Sequence, residues 1–136
     1  MTEHEATKTQ HTILVIEDEP ELRRITAVTL ETRFGYRVLS AEDGASGVVQ
    51  AEEFQPDLIL MDLAMSGMDG IAATRLIKER EATRHIPVIA YSNYAGIQTW
   101  QKTAKSVGCA RCISKVIKHE DLDRIIQEVL AEAKSA

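Results

Sequence analysis

The sequence predicts an α/β fold, an open parallel sheet with helices packed on both faces. Three observations predict it. Five short apolar segments alternate along the chain with five helix-like ones, and alternation of that kind builds parallel sheets through right-handed crossovers. The first, third and fourth apolar segments are continuous rather than alternating in hydrophobicity, as strands covered on both faces should be. The chain has 136 residues, enough for one domain with its own core and far short of the roughly 250 that a closed eight-fold barrel needs.

The elements follow in order. Residues 1–11 lack apolar periodicity and are read as a flexible tail, leaving 12–136 as one domain. The first strand is "TILVIED" (12–18), and the acidic run "EDEPE" around Pro20 opens the first helix. "YRVLS" (36–40) is the second strand, followed by the amphipathic "GVVQAEEF". "DLILMD" (57–62) is the third, leading through a Gly-rich turn into "GIAATRLIKER". "IPVIAYS" (86–92) and "RCISK" (111–115) are the fourth and fifth. The last helix is the clearest: Leu122, Ile125, Ile126, Val129, Leu130 and Ala133 form one stripe at the α period, predicting a helix over 119–133, with Glu120 and Asp121 at the positive end of its dipole.

Composition removes several functions. Hydrophobic residues at 44% and charged residues at 27% describe an ordinary globular chain rather than a disordered or fibrous one. A net charge of −5 offers no basic surface to nucleic acid. No apolar run approaches the roughly 20 residues that span a bilayer, and the start "MTEHEATKTQH" is polar where a signal peptide is basic and then apolar, so no membrane role and a cytoplasmic location are expected. Two cysteines are too few for a disulfide framework, and none of the four histidines has metal-ligand spacing.

In open α/β sheets, chemistry gathers outside the carboxyl ends of the strands. Here four of the five strands end in a reactive polar residue: Glu17 and Asp18, Asp62, Ser92, and Lys115. The second strand lies at the sheet edge in the flavodoxin-like order 2-1-3-4-5 and ends away from this group. Three carboxylates converging on one point repel each other unless a cation sits among them, and all-oxygen ligands select a hard ion such as Mg2+. Lys115 and the Ser92 hydroxyl then supply a positive charge and a hydrogen bond on the opposite side, which suits a phosphoryl group. Asp62, central among the strands, is the natural nucleophile for an aspartyl phosphate.

These residues resemble a known family, the receiver domains of two-component response regulators. "ILVIEDE" resembles the family's acidic first strand, "DLILMDLAMSGMDG" its phosphorylation segment, "IPVIAYSN" its hydroxyl strand, and Lys115 its lysine by placement, over residues 12–133. The resemblance implies that Asp62 accepts phosphate from a histidine kinase or histidine phosphotransfer protein. It implies that Mg2+ is held by Asp18 and Asp62, by Glu17 through water, and by the backbone carbonyl of Ala64, with Ser92 and Lys115 gripping the phosphoryl group. As a signalling receiver the chain would catalyse only its own phosphorylation and dephosphorylation. Because it ends with its fifth helix, output is expected through contacts with a downstream protein; a homodimer, if formed, would use the last two helices.

The departures matter too. Ser92 replaces a usual Thr and keeps the hydroxyl, and Ser66 replaces a usual Pro. Val116 replaces the Pro that follows the lysine in a cis bond; before a non-proline residue that bond costs about 2.5–4 kcal/mol, so Lys115–Val116 is expected trans. Cys112 stands where many members carry an aromatic ring that reports phosphorylation, which moves the expected switch to Ser92, Tyr94 and the start of the fourth helix. "CARC" (109–112) raises a thiol-disulfide alternative, set aside because these motifs work at helix N-termini while this one enters a strand, where i and i+3 should face opposite sides. An aspartyl-nucleophile phosphatase is the other alternative; Ala64, two residues past Asp62, offers it no general acid.

Overall fold

The computed structural model describes residues 10–65, 67–93 and 97–135. Its strands are β1 (Thr12–Ile16), β2 (Arg37–Ala41), β3 (Leu58–Asp62), β4 (Val88–Ser92) and β5 (Arg111–Ser114). Its helices are α1 (Pro20–Phe34), α2 (Gly44–Phe54), α3 (Gly70–Glu79), α4 (Ile97–Ser106) and α5 (His119–Ser135). All strand pairs are parallel, in the order β2-β1-β3-β4-β5. This is the predicted doubly wound sheet.

Strand position explains strand composition. β3 and β4 are buried at every residue, whereas in the edge strand β2 Arg37 and Ser40 are exposed and only Ala41 is buried, and β5 is half-buried throughout. The period of two splits the core into halves. Ile13, Val15, Leu58, Leu60, Ile89 and Tyr91 face α1 and α5, meeting Leu30, Leu122, Ile126 and Val129. Leu14, Ile16, Ile59, Met61, Val88 and Ala90 face the other way, meeting Val48 and Ala51 of α2, Ile71, Ala73 and Ile77 of α3, and Ala104 of α4. The α5 stripe is buried at Leu122, Ile126 and Val129, but its last member, Ala133, is exposed.

Local chemistry sets the ends of the elements. Pro20 stands in the first turn of α1, where its missing N–H costs nothing, and Gly35 closes that helix in the left-handed region at φ 78°. Asp43 and Asp69 cap α2 and α3, accepting from the N–H of Ser46 and Ala72 at 2.8 Å each. The tip of the first strand is pinned by Arg23, which donates to the Glu17 carbonyl at 2.8 Å. Before β1, Gln10 donates to Gly35 O at 3.0 Å and His11 O accepts from Arg37 N at 2.9 Å. No described peptide bond is cis, so Lys115–Val116 is trans as expected.

One expectation is corrected. Cys109 and Cys112 do not face opposite sides: Cys109 is buried in the core half formed with α2, α3 and α4, and Cys112 packs against the same half. The reason is that β5 begins only at Arg111, so Cys109 lies in the preceding turn after Gly108 (φ 107°), where strand alternation does not apply. Ser66 and Tyr94, singled out in the sequence, lie outside the described residues.

Candidate functional site

Register assembles the site. Ile16 pairs with Met61 and Asp62 with Tyr91, so Glu17, one residue beyond β1, comes level with Asp62 and Tyr91. By strand parity Glu17, Asp62, Tyr91 and Lys115 continue the rows that face α1 and α5. β3 and β4 are apolar up to these positions because their bodies are core; Asp62 is polar because it is where the core ends.

The contacts are short. Lys115 Nζ lies 3.1 Å from Glu17 Oε1 and 3.1 Å from Asp62 Oδ1, bridging two carboxylates that are completely buried. The Ala64 N–H also donates to Asp62 Oδ1, at 3.1 Å. Glu17 Oε1 accepts from the Tyr91 hydroxyl at 2.9 Å, and Oε2 accepts from the Glu19 N–H at 3.2 Å. The Lys115 ammonium sits 5.2 Å from the centre of the Tyr91 ring. Asp62 Oδ2 is different: it is buried and has no hydrogen-bond donor among the described residues.

Charge explains the titration behaviour. Burial, reinforced by the Glu17 carboxylate, raises the Asp62 pKa to about 7 against the pull of Lys115. Burial also works to raise that of Glu17, but bonding to Asp62, the Glu19 N–H and Lys115 holds it below the usual carboxylate value. One proton shared between the two carboxyls would join them; when both are ionised neither can donate, and Oδ2 is left unpaired. Tyr91, deeply buried beside Glu17, is pushed well above its usual range and stays a donor. Glu17 and Asp62 share the Lys115 ammonium and Asp18 brings a further carboxylate to the same point, a crowding of negative charge that a divalent cation relieves.

Glu17, Asp18 and Asp62 each offer an oxygen within 4.8 Å of the others, a hard all-oxygen donor set. With the orphaned Oδ2 beside it, this set fits Mg2+. The structure thus brings together four residues expected from the sequence: Glu17, Asp18, Asp62 and Lys115. Ser92 ends β4 beside them, 2% exposed, and its hydroxyl makes a long 3.4 Å contact to the Asn93 carbonyl. Its parity is that of Ala90, the opposite row. Tyr91 was not singled out in the sequence, where "IPVIAYS" reads as apolar; a Tyr in an otherwise aliphatic buried strand is the signal, since a buried phenol needs a partner.

Gly70 brings α3 onto the site. A Cβ there would lie 2.2 Å from the Asp62 carbonyl oxygen, so only glycine lets the helix start against the end of β3. The cysteines lie apart from this constellation. Burial raises Cys109 to about 11 and also raises Cys112, so neither is an activated thiolate.

The sequence matches the family described as the response regulator receiver domain over residues 13–127. It is 37% identical over 120 residues to protein PilH of Pseudomonas aeruginosa, covering 88% of this chain and 97% of PilH. It is 30% identical over 121 residues to the polar-differentiation response regulator DivK of Brucella ovis, covering 89% and 97%. Among solved structures, the receiver domain of the sensor histidine kinase PA1611 from Pseudomonas aeruginosa, with a magnesium ion coordinated in its active site cleft, superimposes with a TM-score of 0.82 at 32% identity, covering 90% of this chain and 99% of that one. The chain belongs to the response regulator receiver domain family, whose members are phosphorylation-dependent signalling switches.

Proposed function

We propose that this receiver domain takes a phosphoryl group onto Asp62 Oδ2 from a histidine kinase or histidine phosphotransfer protein and signals through contacts with a downstream protein. The observation that carries this reading is the division of labour between the two Asp62 oxygens. Oδ1 is fixed by Lys115 and the Ala64 N–H, whereas Oδ2 has no donor among the described residues and so keeps its lone pairs for attack on phosphorus. In the transfer the Oδ2–P bond forms, the bond from phosphorus to the donor's imidazole nitrogen breaks, and the imidazole leaves with the electron pair. Hydrolysis of the acyl phosphate by water returns the carboxylate and inorganic phosphate.

Mg2+, when bound, would neutralise charge on the phosphoryl oxygens. Asp18 and Asp62 would hold it directly, Glu17 through water, and Ala64 through its carbonyl. Lys115, already 3.1 Å from Asp62 Oδ1, is placed to follow the added charge, and Ser92, next along β4 from the Tyr91 that pairs with Asp62, would do the same through its hydroxyl. The magnesium in the similar PA1611 receiver supports the same ion here. No helix of the described residues is long and apolar enough to cross a membrane, and we place this activity in the cytoplasm, where kinase donors work.

Intact mass spectrometry after incubation with acetyl phosphate and Mg2+ tests the reading. Wild type is expected to gain one phosphoryl mass and Asp62→Asn none. Equal gain by the variant would put the acceptor elsewhere.

A further inference from the structure

The geometry points to Tyr91 as a positioning residue for cation binding, holding the Glu17 carboxylate at the metal side of the site through its phenol hydroxyl. The inference rests on the function proposed above and assigns a role to a residue that the phosphoryl chemistry itself does not require.

Glu17 is fully buried, and a buried carboxylate must be oriented by donors or it loses its charge. Among the described residues it has three: Lys115 at 3.1 Å and Tyr91 at 2.9 Å on Oε1, and the Glu19 N–H at 3.2 Å on Oε2. Lys115 is shared, because it also contacts Asp62 and is the group that added phosphoryl charge would draw away. Tyr91 and Glu19 are then the donors left on Glu17, one on each oxygen. The Glu19 N–H belongs to an exposed residue just before α1, whereas Tyr91 lies within β4, 5% exposed, its ring packed in the core half shared with Leu60, Leu122 and Ile126. Tyr91 is therefore the rigid donor. Because Asp62 pairs with Tyr91 across the sheet, one residue spacing sets both the nucleophile and the support of its neighbouring carboxylate.

The ring alone would satisfy packing, and phenylalanine would serve for that. The hydroxyl is what reaches Glu17. Outer partners of metal-site ligands are typically worth about 10–100-fold in metal affinity, since they fix the orientation of the groups that face the ion.

Isothermal titration of the full chain with Mg2+ tests this, using wild type, Tyr91→Phe, Glu17→Ala and the double variant, with melting temperatures of the metal-free proteins taken alongside. Tyr91→Phe is expected to bind Mg2+ about tenfold more weakly while still melting cooperatively. In the Glu17→Ala background the same change should move affinity by less than about twofold, because the hydroxyl has no carboxylate to act through. Affinity in Tyr91→Phe within about twofold of wild type, or a full loss repeated in the Glu17→Ala background, would make Tyr91 a core aromatic with a satisfied hydroxyl and overturn the role. A wild-type chain that takes up no Mg2+ would overturn the proposed function, and this role with it.

Discussion

At Asp62 the side chain is set against its surroundings: a carboxylate with no exposure, one oxygen doubly held and the other without a donor among the described residues. Its pKa is raised from 3.8 to about 7, so the folded chain holds this proton more tightly than the unfolded one. The stability it contributes is present below the unfolded value and lost as pH rises through about 7. Glu17, held low, acts in the opposite sense, and its contribution is lost only as pH falls below its usual 4.5. Asp62→Asn removes the cost of holding a buried charge at this position. With a chelator present it is expected to raise the melting temperature at about pH 8, with the gain fading toward about pH 5; each tenfold difference in proton affinity between the folded and unfolded chain is worth about 1.4 kcal/mol. A melting temperature at the higher pH no greater than wild type would contradict the burial argument.

At the scale of elements, β3 and α3 meet closely at Gly70. Gly70 N donates to Leu63 O at 3.1 Å, and a Cβ on Gly70 would fall 2.2 Å from Asp62 O and 2.7 Å from Leu63 Cα, both backbone atoms that cannot swing aside. Glycine to alanine inside a helix ordinarily stabilises by about 0.5–1 kcal/mol. Here the sign reverses: Gly70→Ala is expected to destabilise by about 1–3 kcal/mol, because the helix must retreat from the strand that carries Asp62. Urea denaturation measures it, and a stability equal to or above wild type would show that the junction yields without cost. The tie between α1 and α5 has a different character. Arg33–Glu120 is exposed on both sides and contributes little, whereas the Tyr36 hydroxyl donating to Asp123 joins a buried ring to the α5 surface.

For the molecule as a whole, the two core halves divide the work. The half facing α1 and α5 carries Glu17, Asp62, Tyr91 and Lys115 at its upper rim, while the half facing α2, α3 and α4 holds both cysteines. Replacing Cys109 and Cys112 together with Ala is therefore expected to leave phosphoryl uptake at the wild-type rate while lowering stability by about 1–2 kcal/mol through the lost buried volume. Acetyl phosphate kinetics and a urea curve on one preparation check both. Loss of uptake with stability retained would return the thiols to the function. Their environment argues against that, since Cys109 is pushed to about 11 by burial and touches the Thr74 hydroxyl at 4.0 Å.

Local pattern along the chain was enough to indicate five strands alternating with five helices and the acidic and lysine residues at the strand ends. All of these depend on short-range regularities: continuous apolar runs, the α-period stripe of Leu122, Ile126 and Val129, and polar residues where buried strands stop. Register and packing, which exist only in the assembled sheet, set the rest. Pairing of Asp62 with Tyr91 put a phenol on Glu17, which no local pattern in "IPVIAYS" requires. The late start of β5 at Arg111 turned Cys109 and Cys112 to one side, against the alternation expected from "CARC". Which of the two Asp62 oxygens is held and which is left for chemistry depends on Lys115, more than fifty residues away, and on an N–H two residues along, because hydrogen bonds are settled by approach in space and not by order in the chain.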